Sequence, residues 1–277
     1  MTMQKILRCG RYEFDLSRPL IMGIVNVTPD SFSDGGKFLA REAAIAHALC
    51  LHGQGADLLD VGGESTRPGA DDVSVEEELS RVLPVVEAMV AKNFPVSIDT
   101  QKPLVMQAAV AAGACLINDV NALQADGAMA VAAASDVGIC LMHRQGTART
   151  MQIDPHYDDV VAEVKAFLLT RANAAVAAGI ARTRIILDPG FGFGKTRAHN
   201  VTLVNALSEL AAAGFPILAG LSRKSLLGQF TGQLPEERLA ASVAAAIIAV
   251  QKGAAIIRVH DVAATKDALT VLGALEN

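Results

Sequence analysis

Met22-Gly-Ile-Val-Asn-Val-Thr-Pro-Asp-Ser-Phe-Ser-Asp-Gly-Gly36 changes character at Asn26. Leu20 to Val25 is apolar and short enough for a buried strand. Thr28 to Gly36 is rich in Pro, Asp, Ser and Gly, with Phe32 in its middle. Such residues favour turns on their own account. This loop is long for a βα connection, however. It also sets an amide, hydroxyls, carboxylates and an aromatic ring just past a strand's C-terminal end, where α/β folds place their chemistry.

Outward from this stretch one unit recurs: a short apolar run, a polar end, then an Ala-rich amphipathic segment. The pattern predicts strands at Ile21–Val25, Leu58–Val61, Val96–Asp99, Leu116–Asn118, Gly138–Met142, Ile185–Leu187, Ile217–Leu221 and Ile256–Val259. It predicts helices near Leu39–Gln54, Val75–Lys92, Pro103–Ala112, Ala125–Ser135, Asp158–Ala178, Val201–Ala213, Glu236–Lys252 and Val262–Ala274. Gly55, Gly113, Gly179, Gly214 and Gly253 are placed to close helices. Eight such units in a row predict an α/β (β/α)8 TIM barrel. A doubly wound sheet would carry a glycine fingerprint after its first strand, and Asn26-Val-Thr-Pro-Asp30 is not one. Ile6 to Leu16 alternates around Cys9-Gly-Arg11 and predicts a small β-hairpin with Gly10 in the turn. The expected organisation is one domain over residues 1–277, with the hairpin in 1–19 and the barrel in 20–277.

The chain is 51% hydrophobic but only 4% aromatic, without Trp. Its core must be Ala, Val, Leu and Ile, as in a buried parallel sheet covered by helices. A net charge of −5 argues against broad nucleic-acid binding and leaves room for a local basic pocket. Cys9, Cys50, Cys115 and Cys140 are dispersed with no CxxC, which reads as small buried hydrophobes in a reducing compartment. Met1 to Asp15 lacks the apolar core of a secretory signal, and Leu239 to Val250 is too short to span a bilayer. A soluble cytoplasmic protein is expected.

Every predicted strand ends polar: Asn26; Asp60 with Gly62-Gly-Glu-Ser-Thr-Arg67; Asp99-Thr100; Asn118-Asp119; His143; Asp188-Pro-Gly-Phe-Gly-Phe-Gly-Lys195; Ser222-Arg-Lys224; and Arg258-Val-His260. In a barrel these ends share one mouth. Asp99, Asn118 and Asp188 are short acceptors suited to the N–H-rich edge of a heterocycle, and Asp188 could take two parallel N–H bonds. The bland alternatives are a helix cap for Asp99 and a turn for Asp188 before Pro189. Arg67, Arg223, Lys224, Arg258 and His260, with Asn26 and Thr66, form a second group suited to a phosphate or diphosphate. Arg258 and His260 are two apart and share a strand face. A rim salt bridge and a satisfied buried imidazole are the alternatives. Ser222 is a candidate cap for a short helix, Arg223–Gly228, with free N–H groups for an anion. Gly190 to Lys195 fits either a phosphate loop or a close approach to a flat ligand, with Phe193 placed to stack. His143-Arg-Gln-Gly146 reads as a flexible loop without a zinc partner. No covalent nucleophile stands out.

Met22–Gly36, Gly62-Gly-Glu-Ser-Thr-Arg-Pro-Gly69, Ser97–Thr100, Ile117–Asp119, Met142-His143, Asp188–Lys195, Ser222–Ser225 and Arg258–Asp261 resemble the dihydropteroate synthase family. The resemblance runs from about Leu20 to the C-terminus. It implies a pterin-binding barrel, a homodimer, that uses Mg2+ and is a target of sulfonamides. The implied reaction joins 6-hydroxymethyl-7,8-dihydropterin diphosphate to p-aminobenzoate, giving 7,8-dihydropteroate and diphosphate for folate synthesis. By resemblance Asp99, Asn118, Asp188 and Lys224 hold the pterin, with Met142 and Phe193 against its faces. Thr66, Arg67, Arg258 and His260 take the diphosphate, and Asn26 is the residue associated with Mg2+. Phe32, Arg67, Pro68 and Ser222 line the aminobenzoate site. Asp99, Lys224, Arg258 and His260 are the expected catalytic set. The loop after the first barrel strand, with Pro29 and Phe32, is expected to close over the diphosphate. Where the family often has Met-His-Met-Gln-Gly with Pro shortly after, this chain has Arg144 and Ala148. A pterin-dependent methyltransferase and a pterin-binding paralogue without catalysis are the rival readings.

Overall fold

The computed structural model describes residues 5–27, 36–65, 69–147 and 149–276. A hairpin of β1 (Ile6–Cys9) and β2 (Tyr12–Asp15) comes first, with Gly10 in its turn as expected. Eight parallel strands follow: β3 (Leu20–Asn26), β4 (Leu58–Gly62), β5 (Val96–Asp99), β6 (Leu116–Asp119), β7 (Gly138–Met142), β8 (Ile185–Asp188), β9 (Ile217–Ala219) and β10 (Ala254–Val259). They close in sequence order, with β10 between β9 and β3. The α/β (β/α)8 barrel is therefore as expected.

Helices α1 (Gly36–Gly53), α2 (Val75–Val90), α3 (Pro103–Ala111), α4 (Ala128–Ala133), α5 (Val160–Ala177), α6 (Arg197–Asn205), α7 (Leu207–Ala211), α8 (Ser225–Thr231), α9 (Leu239–Gln251) and α10 (Val262–Glu276) complete the described elements. Their ends follow local chemistry. Ser74 accepts from the Glu77 N–H at the start of α2, where Glu76, Glu77 and Glu78 also suit the helix dipole. Asp159 caps α5 by accepting from Val161 and Ala162. The five closing glycines all lie at positive φ. Three helical expectations are corrected. Val201–Ala213 is two helices, divided at Ala206 and begun at Arg197 by a capping box of Thr196 and His199. Ala125–Ser135 shrinks to α4 because Gly127 turns left-handed at its start. Glu236 and Glu237 form a 3-10 turn ahead of α9. Strand β9 is also shorter than expected, ending before Gly220.

Strand alternation divides the core in two. Ile21 and Val25 on β3, Leu59 and Val61 on β4, and Leu187 on β8 pack outward among the helices. Leu20, Met22, Leu58, Leu116, Cys140, Ile186, Leu218 and Ile256 point into the barrel. Leu7 and Cys9 of the hairpin join them and seal the floor. Contact there is close, since a Cβ on Gly138 would press on the Cys9 sulfur. Cys9, Cys115 and Cys140 are buried thiols, as expected, and burial pushes Cys115 up to about 12. Cys50 departs from that expectation and is exposed on α1. Among the described residues no helix is long and apolar enough to cross a membrane.

Leu7 is fully buried on this floor. Leu7→Ala should lower unfolding free energy by about 2–5 kcal/mol in a denaturant titration. Activity of the fraction that remains folded should be unchanged, because the mouth lies at the other end of the strands.

Candidate active site

The same alternation places the polar residues. Two residues beyond inward Leu58, Leu116, Ile186 and Ile256 stand Asp60, Asn118, Asp188 and Arg258. The next inward layer after an apolar floor is thus charged, and it lies at the C-terminal ends of the strands. Arg258 is its centre. Its Nε donates to Asp60 Oδ2 at 2.6 Å and its Nη2 to Asp99 Oδ2 at 2.7 Å. Asn118 Nδ2 donates to the same Asp60 oxygen at 3.0 Å. Asp60 Oδ1 and Asp99 Oδ1 are buried without a hydrogen bond among the described residues.

Burial lifts the Asp99 carboxyl to about 7; Arg258 opposes this, while Asp60, Glu78 and Asp119 add to it. Burial alone would lower Arg258, but Asp60 and Asp99 outweigh it and the net shift is upward. Two alternatives from the sequence are thereby settled. Asp99 does not cap α3, whose N-cap Lys102 has no side-chain cap bond. Arg258 is not in a rim salt bridge: it pairs with fully buried Asp60 and partly buried Asp99, below the rim. Arg258, expected in the basic group, is here bonded to Asp60 and to Asp99 of the expected acceptor group.

Across the mouth, Asp188 Oδ1 accepts from the Gly190 N–H at 2.7 Å. Asp188 is therefore a buried turn former, and one of the two oxygens expected to grip a ligand is already engaged. Burial raises it, and Lys224 pulls it back. Lys224 donates to the Phe191 carbonyl, and its Nζ lies 4.6 Å from the centre of the Phe193 ring. Burial pulls Lys224 down to about 8, opposed by Asp188 and helped by Arg258. Met142 ends β7 in register with Asp188, beneath this loop.

Ser222 does not cap a helix. Helix α8 starts at Ser225 with Lys224 at its N-cap and no side-chain cap bond. The Ser222 hydroxyl instead lies 3.0 Å from His260 Nδ1 and accepts from the His260 N–H. His260 stands just past the end of β10. Arg223, expected in the anion group, forks onto both oxygens of Asp261 at 3.0 and 2.5 Å. That bidentate pair occupies it and raises its pKa.

The Gly190 to Lys195 segment is not a phosphate loop. Gly190 and Gly194 take positive φ and lie against backbone, where an added Cβ would collide with the carbonyls of His143 and Gln145. Lys195 is buried and turned inward. Its Nζ contacts the Gly190 and Phe193 carbonyls at 2.9 and 3.0 Å and His143 Nδ1 at 3.0 Å. Burial draws Lys195 down to about 7, yet every neighbour of its nitrogen is an acceptor, an arrangement an ammonium suits best. Burial and Lys195 together push His143 down to about 3, so its ring is neutral.

The loop expected to be flexible is tied on several sides. Arg144 Nη2 donates to Gln101 Oε1 at 3.0 Å and Asn121 Oδ1 at 3.2 Å. Tyr157 donates to the Gly194 carbonyl and Gln152 to the Gly192 carbonyl. The segment after β4 is anchored too: Lys102 Nζ bridges Glu64 and buried Glu78 at 3.0 and 2.5 Å.

Asp99, Asn118, Asp188, Lys224, Arg258, Met142 and Phe193 are therefore brought to one mouth, with Ser222 and His260 paired beside them. Asn26 ends β3 half-buried. Phe32, Thr66, Arg67, Pro68, Ala148 and residues 28–35 of the opening loop lie outside the described residues. Asp60 and Lys195 stood among the expected polar strand ends but were assigned no role. The signal for Asp60 was present: it sits two residues after Leu58, in step with Asn118 and Asp188. Among the described residues no group of three His, Cys, Asp or Glu could cage a metal. One carboxamide oxygen at Asn26 fits Mg2+, which takes most of its ligands from phosphate and water.

An eight-stranded parallel barrel with an apolar floor and opposite charges buried at its mouth is the frame of a small-molecule enzyme. A family model described as pterin binding enzyme matches residues 22–260. The sequence is 53% identical over 277 residues to dihydropteroate synthase of Neisseria meningitidis serogroup B, covering 98% of this chain and 97% of that one. It is 51% identical over 262 residues to the Escherichia coli K12 protein of that name, covering 94% and 93%. The solved structure of Xanthomonas albilineans dihydropteroate synthase with 4-aminobenzoic acid matches with a TM-score of 0.93 at 57% identity, covering 98% of each chain. The same enzyme in complex with 7,8-dihydropteroate matches with a TM-score of 0.90 at 55% identity, again covering 98% of each chain. The chain belongs to the pterin-binding enzymes and, within them, to the dihydropteroate synthase family.

Lys195→Met removes the shared donor of two carbonyls and a ring nitrogen. Buried acceptors left unpaired cost about 1–3 kcal/mol each. The variant should lose several degrees in thermal unfolding, and segment 189–195 should gain hydrogen exchange ahead of the barrel strands.

Proposed function

We propose that the protein condenses 6-hydroxymethyl-7,8-dihydropterin diphosphate with p-aminobenzoate to 7,8-dihydropteroate and diphosphate. It is a transferase of folate biosynthesis. The buried Asp60–Arg258–Asp99 cluster carries this reading, because it gives a cationic pterin a negative environment without supplying a nucleophile.

Asp99, Asn118, Asp188 and Lys224 hold the pterin edge, with Met142 and Phe193 on its faces. Asn118 and the free oxygen of Asp188 accept ring N–H groups, and Lys224 donates. The C–O bond to diphosphate breaks, and the leaving group takes the electron pair. Positive charge spreads into the pterin, where Asp99 stabilises it. Arg258 and His260, with Thr66, Arg67 and Asn26, receive the diphosphate. Asn26 would hold Mg2+, which would supply positive charge beside the leaving group. Phe32, Arg67, Pro68 and Ser222 line the site of p-aminobenzoate, whose amine attacks the exposed methylene and loses a proton. The whole chain acts as one cytoplasmic domain, in keeping with four unpaired cysteines. The methyltransferase reading has no use for a diphosphate site, so diphosphate release separates the two.

A homodimer completes the proposal. A groove between α6, α8 and α9 is lined by Val201, Val204, Leu226, Leu227, Phe230 and Ile248, with Phe230 50% and Ile248 44% exposed. Among the described residues the lining carries no charge, and the Arg197 guanidinium lies over the outer Phe230 ring at 4.7 Å. A second copy meeting the same face would bury the apolar lining and keep Arg197 at its edge. Sedimentation should give twice the 28.9 kDa chain mass, and Ile248→Glu should give a monomer.

Purified protein with Mg2+ and both substrates should release diphosphate and form 7,8-dihydropteroate; chelation should stop it. Absence of product at saturating substrate would overturn the assignment. Arg258→Ala strands Asp60 and Asp99 as buried charges, a loss of about 3–5 kcal/mol in comparable pairs. It should therefore depress both turnover and calorimetric pterin affinity, each by at least about tenfold.

A further inference from the structure

Asp60 joins three strands of the mouth. It lies on β4, accepts from Asn118 on β6 and from Arg258 on β10, and is itself completely buried. A carboxylate only accepts, so the Asn118 carboxamide must turn its NH2 toward Asp60. Its oxygen is then the acceptor that remains for a ligand. Arg258 is divided in the same way. One edge of the guanidinium goes to Asp60 and the other to Asp99, so two carboxylates share one cation and the trio carries an excess of negative charge. Each carboxylate keeps a buried oxygen without a hydrogen bond among the described residues.

We propose that Asp60 is a positioning residue for this reaction: it orients Asn118 and takes one edge of Arg258, so that the guanidinium is shared between two carboxylates and their joint negative field faces the cation that forms in the pterin. The inference rests on the reaction proposed above. Asp60 does not touch substrate; it acts through Asp99, Asn118 and Arg258. Without its charge, the guanidinium would pair with Asp99 alone and oppose the field that favours the cation. The effect falls on the transition state more than on the bound substrate, whose pterin is still uncharged.

Asp60→Asn keeps the shape and removes the charge. With wild-type turnover established in the same assay, the variant should lose about 100-fold in kcat, and KM for the pterin diphosphate should change by less than about fivefold. A merely structural role would not move the pH profile, but this one does. The groups facing Asp99 are Asp60, Arg258, Glu78, Asp119 and Lys224. Loss of Asp60 removes a repulsion and frees the guanidinium for Asp99. Both changes favour ionised Asp99, so the acid limb of kcat/KM, set in wild type by a carboxyl near 7, should move to lower pH. If Asp60→Asn folds poorly, Asp60→Ala assayed with and without formate decides, since a small carboxylate in the vacated space should restore part of kcat. A kcat within threefold of wild type with an unmoved limb, or no response to formate, would overturn the proposal. Failure of the wild type to form product would instead remove the reaction itself.

Discussion

A guanidinium held between two carboxylates inside a closed barrel is the constraint on which the rest of the molecule depends. Charges taken out of water are costly unless paired and hydrogen-bonded. Asp60 and Asp99 are tolerable at the ends of β4 and β5 because β10 closes the barrel next to β3 and brings Arg258 to them. Closure of the fold and neutralisation of the site are thus one event. The compensation is incomplete by design of the residue count, two carboxylates to one guanidinium, and that residue of negative charge suits a reaction whose difficulty is a forming cation.

The two ends of the barrel divide the work. The floor is made dry and rigid by Leu7 and Cys9 against inward apolar residues of the strands. Its apolar character isolates the charged layer just above it and keeps the local dielectric low. At the mouth, rigidity comes from hydrogen bonds. Lys195 gathers the turn after β8 onto His143 after β7, while Lys102 ties the segment after β4 to α2. Arg144, where the resemblance led to an expectation of Met, links that loop to Gln101 and Asn121. These two bonds dock the loop against the ends of its neighbours.

Local pattern carried much of this. Short apolar runs ending in polar residues, separated by Ala-rich amphipathic segments, were enough for eight βα units, and their number for a closed barrel. The end of each strand named its own chemistry, so Asp99, Asn118, Asp188, Lys224 and Arg258 were legible one by one. Turn glycines and the capping residues Ser74 and Asp159 are likewise local facts. Helix ends were less legible where one residue decides them, as with Gly127 before α4 or Pro235 before α9.

What could not be read was partnership. Arg258 is 159 residues from Asp99 and 198 from Asp60, and nothing nearby in sequence says that it turns inward to acids before it meets an anion. Arg223 looked equally available and is locked onto Asp261. The glycine-rich segment ending at Lys195 fitted either a phosphate loop or a close approach to a flat ligand, and its lysine faces its own carbonyls. A sequence states which charges exist and on which face of a strand each stands. Which of them remain free depends on distances across the barrel, and those exist only once the eight strands have closed and burial has made each charge find the nearest compensating one.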